Sequence, residues 1–163
     1  MSSSTATAPA AALDRGLASR ILREGYGPGA WHGPDLRAAV ADVSASAAFR
    51  RPAPGRHNIA EVAMHHAFCV RSVIQRLGGS PSAFPLSGED WFTLDDESTI
   101  TWSKIGALLE ALQAELATQA ASPMRNGAGT DEEMDLVLGI TCHAIYHAGQ
   151  IQLIKVLTAP SGP

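Results

Sequence analysis

The sequence predicts an all-α fold, and more closely a four-helix bundle. Alanine and leucine are abundant among its 163 residues, which favours helices, and alternation of β-branched residues is nearly absent. Apolar residues recur instead at every third or fourth position. Amphipathic helices without strands must bury their apolar faces against one another, and a helical bundle is an arrangement that does so.

Two helices are predicted in the first third of the chain. The first covers residues 13–24, ends at a run rich in glycine, and carries the apolar stripe Leu13, Leu17 and Ile21. A shorter helix covers residues 35–45, directly after a proline that suits a helix start.

Three longer helices follow, over residues 58–77, 101–120 and 130–157. The first of them opens with an asparagine cap and Glu61, close to a capping box. The last opens with a T-x-x-E capping box. Residues 80–100 form a connector whose length is typical of a functional loop or of one that crosses a bundle end.

Charge and composition limit the classes of function. The net charge is −4 and no block of basic residues stands out, so we expect neither nucleic acid nor an anionic membrane as partner. No apolar run is long enough to cross a bilayer, and two cysteines form no disulfide framework. We therefore expect a cytoplasmic protein with a flexible leader (1–12), one domain (13–158) and a tail (159–163).

The last helix carries a candidate metal-binding pair, His143 and His147. Both lie on the face of Leu136, Ile140, Ile151 and Ile154. Residues four apart on a helix lie about 6 Å apart, so two imidazoles there can converge on one ion. The same spacing also arises without a metal, but each buried ring then needs other hydrogen-bond partners.

Further candidates lie on the helix at 58–77. His65 and His66 point about 100° apart, so we expect only one of them to face the core, and periodicity leaves either possible. Glu61, His65 and Cys69 step by four. Glu61 is either a capping residue or an acceptor behind a ligating histidine, and Cys69 is either a small core residue or a fourth ligand.

Four stretches resemble the DinB-like (YfiT-type) superfamily of metal-binding four-helix bundles. Residues 143–151, HAIYHAGQI, are similar to its H-x-x-Y-H-x-G-Q-I signature, and residues 58–65, NIAEVAMH, to the Glu-and-His stretch that opens its second helix. Residues 30–34, AWHGP, and 88–91, GEDW, resemble a W-H-G-P turn and a tryptophan-bearing connector. Ala60 departs from the pattern, because relatives usually carry a large aromatic residue there.

This resemblance implies a site in which His65, His143 and His147 bind one divalent ion, zinc or nickel. It also implies an up-down-down-up bundle, with the long crossover between the second and third long helices, and a homodimer. Characterised relatives include transferases and isomerases that use low-molecular-weight thiols.

The resulting expectation is a metal-dependent thiol transferase or hydrolase acting on a small molecule. Three histidines leave a ligand position open, which is typical of catalytic sites. Glu61 is the candidate general base, and the candidate pocket residues are Trp31, His32, Cys69 and Trp91. The alternative is a non-catalytic, stress-associated bundle in which the ion is structural; a third reading is that the histidines no longer bind metal.

Overall fold

The computed structural model describes residues 15–88, 90–121 and 131–159. Within them the chain forms six α-helices and no β-strand, which confirms the all-α class. No helix in these ranges is long and apolar enough to span a lipid bilayer. The helices are α1 (Arg15–Tyr26), α2 (Leu36–Ala41), α3 (Ala45–Ala48), α4 (Ile59–Arg76), α5 (Trp102–Ala121) and α6 (Asp131–Thr158).

The four longest helices contact one another in a closed ring. α1 packs against α5 and α6, and α4 packs against the same two helices. The short α2 lies on α1 and α6, and α3 lies on α4 and α5. α1 approaches α6 closely at Gly25, where an added Cβ would lie only 3.0 Å from the Cβ of Ala144. The largest fully buried side chains include Leu36, Ile59, Met64, Ile74, Ile105, Leu109, Leu116 and Ile151.

The helix that carries the first candidate ligand begins where the sequence predicts. The side chain of Asn58 accepts a hydrogen bond from the backbone N–H of Glu61 at 2.9 Å, and the Glu61 carboxylate accepts one from the backbone N–H of Asn58. This reciprocal capping box satisfies two of the donors that every helix start leaves free. The predicted start of α4 is therefore confirmed.

The predicted apolar stripe of α1 was wrong by about one position. Ala18, Leu22 and Tyr26 are buried, Ile21 is only half-buried, and Leu17 is exposed. The close approach to α6 fixes the rotation of α1 about its axis, and Tyr26 donates from its hydroxyl to Glu110 on α5. Packing partners, which periodicity does not see, decide which of two neighbouring stripes is buried.

The helix predicted over residues 35–45 is two helices. Asp35 caps α2 by accepting from the N–H of Ala38, and Ser44 caps α3 by accepting from the N–H of Ala47. A serine whose hydroxyl binds nearby backbone N–H groups offers an alternative to a continuing helix. The break before Ser44 follows from that competition.

Several predictions fall outside the described residues. They are the leader at 1–12, Leu13, the capping residue Thr130 of the last helix, and all of the tail after Ala159. The predicted domain limits therefore stay predictions.

The connector between α4 and α5 folds back over the start of α4. The side-chain amide of Asn58 donates to the carbonyl oxygen of Leu94 at 2.6 Å, and the N–H of Leu94 donates to the Glu61 carboxylate at 2.9 Å. These bonds hold the connector in place and bring Asp90 and Trp91 beside the ring of His65.

Candidate metal centre

Three histidine side chains converge between α4 and α6. Nε2 of His143 lies 3.1 Å from Nε2 of His65 and 3.1 Å from Nε2 of His147. His65 and His147 are buried and His143 is half-buried. The structure thus brings together the three residues that the sequence and the family resemblance select as ligands.

The spacing of these nitrogens suits a metal ion. Zinc lies about 2.0–2.1 Å from a histidine nitrogen, so two nitrogens of a tetrahedral site are roughly 3.3 Å apart. One ligand atom from each of the three histidines lies within 4.8 Å of the others. Neutral imidazole nitrogens are also the donor type that zinc and nickel accept. The donor set therefore fits one divalent cation.

The ring nitrogens on the far side of the cluster each have a different partner. Nδ1 of His65 lies 3.0 Å from the backbone oxygen of Asp90, and Nδ1 of His147 faces the side-chain oxygen of Gln150. Nδ1 of His143 lies 3.0 Å from Nδ1 of His66. Such outer contacts orient ligating rings and set which nitrogen carries the proton.

His66 corrects the expectation that only one of two adjacent histidines faces the core. It is fully buried, and its Nε2 lies 3.0 Å from the side-chain nitrogen of Gln113 on α5. Every residue from 59 to 67 is buried, because α3, α5, α6 and the connector surround this half of α4. A helix enclosed on all sides has no outward face to which His66 can turn.

The three rings on α4 and α6 whose pKa shifts are resolved are neutral at physiological pH. Burial, followed by the neighbouring histidines, lowers the pKa of His143 to about 4. Burial also lowers the pKa of His147 to about 4, against a smaller opposing effect from Gln150. Burial holds the pKa of His66 well below its usual value. Protons therefore compete weakly for the nitrogens that a metal would need.

Glu61 has partners other than the three histidines. Its carboxylate accepts from both terminal nitrogens of Arg51, from the N–H of Leu94 and from the ring of His57. Burial alone would raise its pKa, but the bonds from Arg51, Leu94 and His57 lower it below the usual value. The structure assigns Glu61 to this ion-pair network and to the helix cap, so its predicted role as base or outer-shell acceptor gains no support.

The candidate pocket residues divide into two pairs. Trp91 stacks on His65 with ring centroids 4.0 Å apart and on His57 at 3.9 Å, and it meets His147 edge-on at 6.2 Å. By contrast, Trp31 is 92% exposed, and His32 binds the backbone oxygen of Glu24 at the end of α1. Trp91 borders the cluster, and the structure does not bring Trp31 or His32 to it.

Cys69 belongs to the nearer pair. Its Sγ lies 3.9 Å from Nε2 of His65, and with His65 and Asp90 it forms a second group whose donor atoms lie close together. Burial, helped by the charge of Asp90, raises the pKa of Cys69 to about 11. Without a metal the thiol is therefore protonated at neutral pH, which makes it a poor nucleophile.

Sequence reasoning missed Gln113, Asp90 and the role of Arg51. Gln150 was within the recognised signature but had no assigned role. Gln113, Asp90 and Arg51 act through contacts between different elements of the chain, which no spacing rule predicts. Gln150 lies three residues after His147 on α6, so helical spacing could have found its contact with that ring.

The family comparison covers the same part of the chain. The model of the DinB superfamily matches residues 30–151, which is most of the chain and includes all three clustered histidines. The chain therefore belongs to the DinB superfamily. Neither the curated proteins nor the solved structures contain a significant match to it.

Proposed function

We propose that this DinB superfamily protein binds one divalent metal ion, zinc or nickel, through Nε2 of His65, His143 and His147. The observation that carries the proposal is the convergence of three Nε2 atoms, with neighbours at 3.1 Å. Uncharged nitrogens that face one another at this distance are poor partners for each other, and a cation would satisfy all three.

We further propose that the site is catalytic and acts on a low-molecular-weight thiol, as a transferase or hydrolase. A divalent ion with three protein ligands has an open position, and it lowers the pKa of a thiol or water bound there. His143 and Cys69 are half-buried, so the side of the cluster on which they lie is partly accessible to a small molecule. Trp91 forms an apolar wall against His65, and we assign no residue as general base.

Metal content tests the site directly. Untagged protein purified from cells should contain about one zinc or nickel per chain by mass spectrometry, and His143→Ala or His147→Ala should reduce this at least tenfold. His32→Ala is the matched control, because His32 is exposed and its ring contacts the backbone oxygen of Glu24 on α1 instead of the histidine cluster. Equal metal content in all four proteins would refute the metal site.

Thiol binding separates the catalytic function from the alternative of a structural ion in a stress-associated binding protein. Calorimetric titration of the zinc-loaded protein with glutathione, mycothiol or bacillithiol should detect binding that His143→Ala abolishes. A structural ion would instead raise the melting temperature strongly and bind no thiol. The second result would overturn the transferase or hydrolase proposal and leave the metal site intact.

We also propose that the four long helices form an up-down-down-up bundle, with residues 77–101 as the crossover. Their closed ring of contacts supports this arrangement. The two cysteines are free, which is consistent with the reducing cytoplasm that we propose as its location.

We propose that the protein forms a homodimer through the outer face of α6. Large apolar side chains project from this face and it carries no charged residue between Leu138 and Leu157, so two copies could pair it symmetrically. Leu153→Glu should convert a dimer to a monomer in analytical ultracentrifugation, whereas Leu17→Glu on α1 should not. A monomeric native protein would refute the dimer. The exposed side chains are Leu138, Tyr146, Leu153, Val156 and Leu157.

A further inference from the structure

Two of the three clustered histidines face partners that accept hydrogen bonds. Nδ1 of His65 points at the carbonyl oxygen of Asp90, and Nδ1 of His147 points at the side-chain oxygen of Gln150. A neutral imidazole carries one proton, on one of its two nitrogens. In their neutral forms both rings therefore carry that proton on Nδ1 and direct the lone pair of Nε2 into the cluster.

His143 differs, because its outer partner is another histidine that can donate or accept. Nδ1 of His143 lies 3.0 Å from Nδ1 of His66, and Nε2 of His66 lies 3.0 Å from the side-chain amide of Gln113. His66 is fully buried, so these two contacts are the ones that decide its protonated nitrogen. An amide offers a donor on one side and an acceptor on the other, and a half-turn exchanges them.

We propose that His66 and Gln113 are positioning residues that determine which nitrogen of His143 carries the proton, and so whether Nε2 of His143 can bind a metal. This proposal rests on the metal site proposed above. Two neutral arrangements fit the distances, and they differ only in the direction of every hydrogen bond along the chain from Gln113 to His143.

In the first arrangement, the NH₂ group of Gln113 donates to Nε2 of His66. Nδ1–H of His66 then donates to Nδ1 of His143, so that the proton of His143 lies on Nε2. This proton faces the Nε2 lone pairs of His65 and His147, whose nitrogens each lie 3.1 Å from Nε2 of His143. The nitrogen that would hold a metal is blocked.

In the second arrangement, the amide of Gln113 is turned so that its oxygen accepts from Nε2–H of His66. Nδ1 of His66 accepts from Nδ1–H of His143, and Nε2 of His143 has a free lone pair. The exchange moves the shared proton from His66 to His143, removes one proton from Nε2 of His143 and adds one to Nε2 of His66. Neither ring changes its charge.

A cation selects between the two arrangements. Three lone pairs that meet at this distance repel one another unless a positive charge lies between them. Metal binding therefore favours the second arrangement, and the rotation of Gln113 is linked to it. A substitution that fixes the direction of the chain should change metal affinity without touching a ligand.

The test compares Gln113→Glu with Gln113→Met. A carboxylate only accepts, so Gln113→Glu should hold His66 and His143 in the second arrangement and tighten zinc binding about tenfold in a competition titration with a chelator. Methionine neither donates nor accepts strongly, and should change affinity by less than about threefold. In zinc-free protein, ring ¹⁵N NMR should show the proton of His143 mainly on Nδ1 in Gln113→Glu.

A double-substitution cycle with His66→Leu separates this route from a simple effect of negative charge. His66→Leu should weaken zinc binding about tenfold or more, and adding Gln113→Glu should then have no further effect. If Gln113→Glu tightens binding equally with and without His66, charge alone explains it and the proposal is wrong. The proposal also fails if the ring ¹⁵N shifts of His143 are the same in wild type, Gln113→Met and Gln113→Glu. This second measurement does not require the His66→Leu variant. If the wild-type protein binds no zinc at all, the metal site itself is refuted.

Discussion

Two buried polar clusters lie one helical turn apart on α4, and they differ in how their buried polar atoms find hydrogen-bond partners. Around Glu61, a negative carboxylate receives hydrogen bonds from a guanidinium, a ring and the backbone N–H groups of the connector and helix start. Around His65, three imidazole rings face one another through their Nε2 atoms. The first cluster is complete within the protein, whereas in the neutral form of the second the three Nε2 atoms share at most one N–H.

The difference separates a structural role from a binding role. A buried charge that is fully hydrogen-bonded holds its surroundings in one arrangement, as Glu61 holds the connector on α4. The nitrogens around His65 have fewer N–H donors than acceptors, so they are only partly hydrogen-bonded without a metal, and a cation bound there would stabilise the folded protein. The comparison predicts that substitutions in the first cluster lower stability, and that those in the second lower metal affinity.

Glu61→Ala should have the largest effect on stability. Removal of the carboxylate leaves the guanidinium of Arg51 and the N–H of Leu94 without their acceptor, at a cost of about 3–5 kcal/mol in the free energy of unfolding by urea. Glu132→Ala is the control, because Glu132 pairs with Arg76 at the surface at 3.4 Å and should change stability by less than about 0.5 kcal/mol. Similar costs for both would erase the distinction between the clusters.

Acid should destabilise the two clusters in different ranges of pH. The pKa of His143 and of His147 is lowered from 6.5 to about 4 in the folded protein, so the unfolded chain binds their protons first. Stability measured with a chelator present should therefore fall as the pH drops from 6.5 to 4, by up to about 1.4 kcal/mol per pH unit for each proton. The partial exposure of His143 reduces its share.

The Glu61 cluster responds only at lower pH. Its carboxyl has a pKa below the usual 4.5, so its contribution is complete above that pH and is lost as the pH falls through the lower folded value. His143→Ala should reduce the pH dependence between 6.5 and 4 without abolishing it, because His147 and His66 also have lowered pKa values, and it should leave the loss from Glu61 at lower pH. An unchanged profile in this variant would contradict the assignment of the upper range to the histidines.

Trp91→Ala should have a smaller effect, at the boundary between the clusters. The indole stacks between His57, which binds Glu61, and His65, and its loss should cost about 1–2 kcal/mol by urea denaturation. Trp31→Ala is the matched control, since Trp31 is 92% exposed and should contribute less than about 0.5 kcal/mol. Equal effects of the two substitutions would show that the stack contributes nothing.

Much of this contrast could be predicted from local sequence. The capping box at Asn58 and Glu61 and the inward face of His143 and His147 follow from spacings of three and four residues. The partner of the last two could not be derived that way, because periodicity allowed either His65 or His66. The family resemblance selected His65, and the structure shows both rings in contact with His143.

What the sequence by itself determined is the long helices, the start of α4, the inward face of His143 and His147, and the residue types suited to a metal, since these depend on interactions within a few residues. Only the tertiary structure decided that Glu61 pairs with Arg51, that Trp91 reaches His65 while Trp31 does not, and that Gln113 completes the chain through His66. These contacts join segments distant in sequence. They are selected by how whole helices and the connector pack, because a buried polar atom takes whichever partner packing brings within reach.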